Sequence, residues 1–153
     1  MTEHEIKIHN KFLNIAEEIA SDSKCVQLHV GAVLVRDQRI ISTGYNGTPS
    51  KFKNCSDVFL EYNELVDREN HHKFSEQYEI HAELNAIIYA AISGISIKDC
   101  DIYITHQPCM NCLKMLCGAG VKHIYYRYPY DKAEINEMTK KMLDILKIKL
   151  IKI

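Results

Sequence analysis

His81-Ala82-Glu83 followed, 25 positions after Glu83, by Pro108-Cys109-Met110-Asn111-Cys112 constrains this chain more than any other stretch. One imidazole and two thiolates leave one position of a tetrahedral zinc open to water, whereas a purely structural zinc is normally closed by a fourth protein ligand. Zinc brings the pKa of bound water to about 7. A carboxylate two residues from the imidazole, Glu83, can sit beside that water and carry protons. A C-x-x-C redox pair or a structural zinc knuckle would also use Cys109 and Cys112, but neither accounts for Glu83.

The flanks specify how such ligands are held. Residues 82–92 (AELNAIIYAAI) carry Leu84, Ile87, Ile88 and Ala91 at helical spacing, which predicts a helix with that stripe inward. Residues 110–117 (MNCLKMLC) predict a second helix directly after Pro108. His81, Glu83, Cys109 and Cys112 then fall at two helix starts that meet at the metal. The partial positive charge at those N-termini favours thiolate, the form that binds zinc.

A chain of 153 residues is read as one domain, 1–153, long enough to bury a core. Nineteen basic against twenty acidic residues leave no cationic surface demanding nucleic acid. The start MTEHEIKIHN has no apolar signal core and no 18-residue apolar run exists, so neither secretion nor membrane spanning is expected. With two of its six cysteines assigned to metal, the chain is expected in the reducing cytoplasm.

Periodicity alternates along the chain. Ile6 to Ala20 reads as an amphipathic helix, and HVGAVLVR (29–36) and RIISTGY (39–45) as strands joined at Asp37-Gln38. Residues 46–80 form a long polar insertion ordered by something other than a core. Strands follow at 101–105 and 121–127, a helix at 131–147, and a last strand in IKLIKI (148–153). The expected assembly is α/β, a three-layer α/β/α sandwich around a mixed sheet of about five strands.

The H-x-E…P-C-x-x-C pattern is shared with the zinc nucleobase deaminases. GAVLV (31–35), RIISTGYNGTP (39–49), NCSD (54–57), EIHAELNAI (79–87), PCMNC and YPYDK (128–132) resemble the deoxycytidylate (dCMP) deaminases, above all the bacteriophage type. The resemblance implies the cytidine-deaminase fold and hydrolysis of dCMP to dUMP and ammonia, which supplies thymidylate synthesis. It makes Glu83 the proton carrier, from the activated water to N3 of the pyrimidine and on to the departing amine. The Ala82 N–H would donate to the base, Asn46 would bond the sugar or base edge, and Tyr130 would close over the ligand. Asn46-Gly47 is also a common turn, and Tyr130 also suits a half-buried aromatic. Cys25, Cys55 and His71 match positions at which phage-type members hold a second, structural zinc, with His72 as a substitute or fourth ligand. Such a site would tie the polar insertion to the domain. Buried free thiols and a solvated His-His pair are the plainer reading. Cys100 and Cys117 read as core.

The family further implies a homo-oligomer, commonly a hexamer, activated by dCTP with Mg²⁺ and inhibited by dTTP. Ile92 stands where phage relatives can carry an arginine, so a cation able to bind phosphate is missing here. An unregulated, differently assembled enzyme therefore stands beside the regulated one. His29, Lys51, Lys53, His106 and Arg127 are the candidates for holding a substrate phosphate. Deaminases of cytidine, dCTP, guanine, a riboflavin precursor or tRNA adenosine remain alternatives, as does a non-catalytic zinc module.

Overall fold

In β1 (Gly31–Arg36), Ala32 and Leu34 point to one side and Val33 and Val35 to the other, and all four are buried. A strand apolar on both faces needs helices on both, and this alternation arranges the rest. The computed structural model describes residues 1–60, 64–130 and 133–153. Residues 61–63 of the polar insertion, and Asp131 and Lys132 of the YPYDK run, lie outside the described residues.

β2 (Arg39–Tyr45) pairs antiparallel with β1 through a tight turn in which Asp37 and Gln38 both have positive φ, 51° and 58°. Two left-handed central residues make the turn whose twist matches a hairpin. β3 (Asp101–His106) runs antiparallel to β1 on its other side. β4 (His123–Tyr128) and β5 (Lys149–Lys152) then add in parallel, giving one mixed sheet in the order β2-β1-β3-β4-β5.

The first layer is α1 (Glu3–Ala20), opened by a capping box between Thr2 and Glu5. Its Phe12, Leu13 and Ala16 pack on Val33, Val35, Tyr103 and Tyr125. The His9 ring stacks on Tyr125 at 4.2 Å between centroids and bonds the Tyr103 hydroxyl at 2.9 Å. On the opposite face α4 (Ala82–Ile92) and α5 (Met110–Gly118) cover Ala32, Leu34, Ile102, Ile104 and Ile124, with Leu143 of α6 (Glu137–Leu146) in the same cluster. The sandwich expected from the element order is the one observed. The last helix begins six residues later than its periodicity suggests, capped by the Asn136 side chain on the Thr139 N–H.

The stripe expected to face inward on α4 is displaced. Ala82, Glu83, Ala86 and Ala90 are the buried residues, while Leu84, Ile87 and Ile88 are half-buried and Ala91 is exposed. Contact with β2 explains the choice. A Cβ at Gly44 would collide with the Ala82 carbonyl oxygen and the Ala86 nitrogen, so helix and strand meet backbone to backbone. Only small side chains fit on the helix face that comes so near.

The polar insertion contains α2 (Cys55–Val58) and α3 (Glu64–Tyr78). Among the described residues its one sheet-like contact is an isolated bridge between Gly47 and Ile80. No helix among the described residues is long and apolar enough to cross a membrane.

Candidate metal centre and active site

His81 and Cys109 are the N-cap residues of α4 and α5, one position before the first turns in which their sequence placed them. Both have extended backbones, and neither side chain caps its own helix. They turn instead toward one another. The Sγ atoms of Cys109 and Cys112 lie 3.6 and 3.4 Å from His81 Nδ1. A tetrahedral zinc with Zn–S of about 2.3 Å and Zn–N of about 2.0–2.1 Å sets its sulfur and nitrogen ligands roughly 3.6 Å apart. The donor set and its spacing fit that ion.

Electrostatics agree with the geometry. The Cys112 S–H and the His81 ring hold the Cys109 thiol down to about 3. Cys112, donor to Cys109 and buried, is pushed up. Cys109 in turn raises His81. A sulfur pair sharing one proton beside an imidazole favoured in its charged form is a place where a dication can displace protons. Glu83 is 4 % exposed, and burial raises its carboxyl pKa against the opposing pull of its own backbone N–H and of His81. A carboxyl that holds its proton more tightly than in water, next to the metal ligands, is equipped to take and return protons.

A cleft of about 410 Å³ opens onto His81, Ala82, Glu83 and Cys109, within the size range of small-molecule sites. Asn46 and Tyr130 line it, as expected from sequence. Asn46 is also a clamp: its Oδ1 accepts from the Val30 N–H at 2.8 Å and its Nδ2 donates to the Leu28 carbonyl at 2.9 Å. Tyr130 sits in a loop held by Gln107, whose Nε2 donates to the Ala133 carbonyl at 2.8 Å, and burial raises the phenol pKa. As the first helical residue, Ala82 has no intrahelical acceptor for its N–H. A larger hollow, about 980 Å³ between Gly44–Phe52 and the Tyr89–Ile92 end of α4, touches none of His81, Glu83 or Cys109.

Most of the expected phosphate ligands are elsewhere. Arg127 is spent on Glu17 at 2.7 Å and on Asn10 and Asn14, fastening the sheet to α1. His29 bonds the Cys25 carbonyl, and Lys51 faces the larger hollow. Neither of these two, nor Lys53, lines the cleft; His106 does. Sequence reasoning passed over Arg68 of α3, which lines it too. The helical spacing of Arg68 to His71 and His72 was the available signal.

A second group of donors lies beside the cleft. Cys25, Cys55, His71 and Glu79 bring their donor atoms within 4.8 Å of one another, with Cys25 Sγ 3.3 Å from His71 Nε2. Burial raises Cys25, pushes Cys55 up to about 12 and lowers His71. Among the described residues Glu79 Oε1 is buried without a hydrogen-bond partner, a costly arrangement that a cation would relieve. Four donors close the coordination shell, as in a structural zinc. His72 is not part of the group; it is exposed and pairs with Glu76 at 3.4 Å. Glu79, one residue past α3, was missed by sequence reasoning, and only its eight-residue spacing from His71 hinted at it. Cys100 and Cys117 are buried in the core as expected.

The family described as "Cytidine and deoxycytidylate deaminase zinc-binding region" matches residues 6–128. The chain belongs to this deaminase family. Deoxycytidylate deaminase of Enterobacteria phage T4 is 37 % identical, over 78 % of this chain and 77 % of the phage protein. A probable deoxycytidylate deaminase of Caenorhabditis elegans is 36 % identical, over 94 % of this chain and 68 % of its own. The dCMP deaminase of cyanophage S-TIM5, solved in complex with dCMP and dUMP, superposes with a TM-score of 0.75 at 32 % identity, covering both chains fully. His81, Cys109 and Cys112 fall inside the stretch that defines this deaminase family as zinc-binding.

Proposed function

We propose that this deaminase converts dCMP and water to dUMP and ammonia, with Glu83 as the proton carrier. The observation that carries the reading is the placement of a buried, proton-retaining carboxyl at the mouth of the cleft, against His81, Cys109 and Cys112. The likeness to dCMP deaminases above 30 % identity supports the substrate. His81, Cys109 and Cys112 hold the zinc, which when bound supplies Lewis-acid activation of water. Glu83 accepts one proton from the water and gives it to N3 of the pyrimidine as the oxygen bonds to C4. It then moves the remaining proton of that oxygen to the amine, whose bond to C4 breaks to release ammonia. The Ala82 N–H fixes the base edge. Asn46 holds the Leu28–Val30 wall against which the sugar lies, and Tyr130 covers the ligand and excludes water.

The test is ammonia release by the purified zinc-loaded protein from dCMP, beside dCTP, deoxycytidine and guanine. Turnover of dCMP above the others is the expected result. Turnover of another substrate alone would discard the dCMP assignment and keep the chemistry.

The second donor group is proposed to hold a structural zinc through Cys25, Cys55, His71 and Glu79, tying the insertion to the domain. Metal analysis should find two zinc ions per chain, falling to one in Cys55→Ser. One ion in both proteins would remove the second site. The exposed apolar side chains Tyr89 and Ile92 at the end of α4 support assembly into a homo-oligomer, the context in which dCTP and dTTP would act.

A further inference from the structure

We propose that Arg68 anchors the substrate's 5′-phosphate, so that α3 selects nucleotide over nucleoside. The inference rests on the dCMP reading above and assigns a role that the metal ligands and Glu83 do not fill. A phosphate ester presents two negative charges, and a site that prefers it to a free hydroxyl needs a cation within reach of the same cavity. Among the described residues lining the cleft that contains Glu83, Arg68 is the one lysine or arginine. It makes no ion pair or hydrogen bond among the described residues. Arg127, by contrast, is already committed to Glu17.

The placement is built rather than incidental. Arg68, His72 and Ser75 lie at positions i, i+4 and i+7 of α3, which puts them on one helical face, and all three line the cleft. The same helix contributes His71 to the second donor group, and Glu79 follows its end. α3 therefore meets Cys25 through His71, one turn along from Arg68, whose side chain lines the cleft. A planar guanidinium donates two parallel N–H bonds to a pair of phosphate oxygens, fixing direction as well as charge. His72 and Ser75 add hydrogen-bonding groups along the same edge.

The test compares kcat/KM for dCMP and deoxycytidine in the wild-type protein, Arg68→Gln and Arg68→Lys, with calorimetric binding of dUMP and deoxyuridine run beside it. Arg68→Gln should lower kcat/KM for dCMP about 10- to 100-fold. Its rate with deoxycytidine and its zinc content should stay as in the wild type. Arg68→Lys should recover part of the loss, since it keeps the charge and gives up the fork. A wild-type preference for dCMP that survives in Arg68→Gln overturns the inference and leaves the function standing. Absence of turnover in the wild type defeats the function, and binding then decides the subsite. Loss of dUMP affinity in Arg68→Gln, with deoxyuridine unaffected, supports it. Equal binding of dUMP and deoxyuridine by the wild type, or no binding of dUMP, overturns it.

Discussion

Glu83→Gln should lower kcat for dCMP by about 10³- to 10⁴-fold while zinc content and melting temperature stay near wild type. The magnitude follows from the work assigned to the carboxyl, since a positioned acid–base group contributes roughly 10²- to 10⁴-fold and this one serves more than one proton transfer. Gln keeps the shape and can still hydrogen-bond, but it cannot carry a proton between water, ring and amine. Glu83 is not among His81, Cys109 and Cys112, whose donor atoms make the metal group. Replacing a buried, proton-retaining carboxyl by a neutral amide costs little folding energy. Ammonia release together with metal analysis separates the outcomes. A variant that retains zinc and turns over within tenfold of wild type would take the proton carrier away from Glu83. Loss of zinc along with activity would make the residue a support of the metal centre instead.

The second large effect is on packing. Gly44→Ala should destabilise the fold by about 3 kcal/mol, lowering the melting temperature by roughly 6–12 °C in a chain of this size, and should depress turnover further. The added methyl meets the Ala82 carbonyl oxygen, the Ala86 nitrogen and, at 3.0 Å, the Asn85 carbonyl carbon, all backbone atoms of α4 that cannot rotate away. Relief requires the whole helix to back off the sheet, and His81 and Glu83 sit at the start of that helix. A displacement of a few tenths of an ångström there loosens a geometry that catalysis needs held within about 0.5 Å. Gly118→Ala is the control. Nothing lies within 4 Å of its added methyl and its φ is negative, so it should be neutral or slightly stabilising. Equal melting temperatures for the two variants would show that α4 and β2 are not in backbone contact.

These two glycine positions show what could be read from sequence. The grouping of His81, Cys109 and Cys112 was legible because coordination chemistry dictates residue type and spacing within one short stretch at a time. The strands were legible because a short β-rich apolar run that ends at a turn, as Ala32 to Val35 does before Asp37-Gln38, marks a buried strand. The burial face of α4 was not, since large apolar residues outweigh alanines in any periodicity, and only the proximity of Gly44 reverses the choice. Arg127 looked available for phosphate because its partner Glu17 lies 110 positions earlier, on α1. Glu79 escaped notice for the same reason: its companions Cys25 and Cys55 come from elsewhere in the chain, and pairing between distant segments leaves no local signature.

The attachment of α1 to the sheet bears on how the chain comes off a ribosome. His9 meets Tyr103, and Arg127 reaches back to Asn10 and Glu17, so the first helix, which packs on Val33 and Val35 of β1, completes its contacts only with strands from the second half of the chain. Until β3 and β4 have been synthesised, the Phe12, Leu13 and Ala16 face lacks Tyr103 and Tyr125, and the second thiol for His81 arrives only at Cys112. At a translation rate of about 5–20 residues per second, that is a wait of roughly 5–20 s with that face incompletely covered. Nascent-chain truncations ending before Cys109 should accordingly be protease-sensitive and capture no zinc at His81, with protection and metal uptake arriving late in elongation.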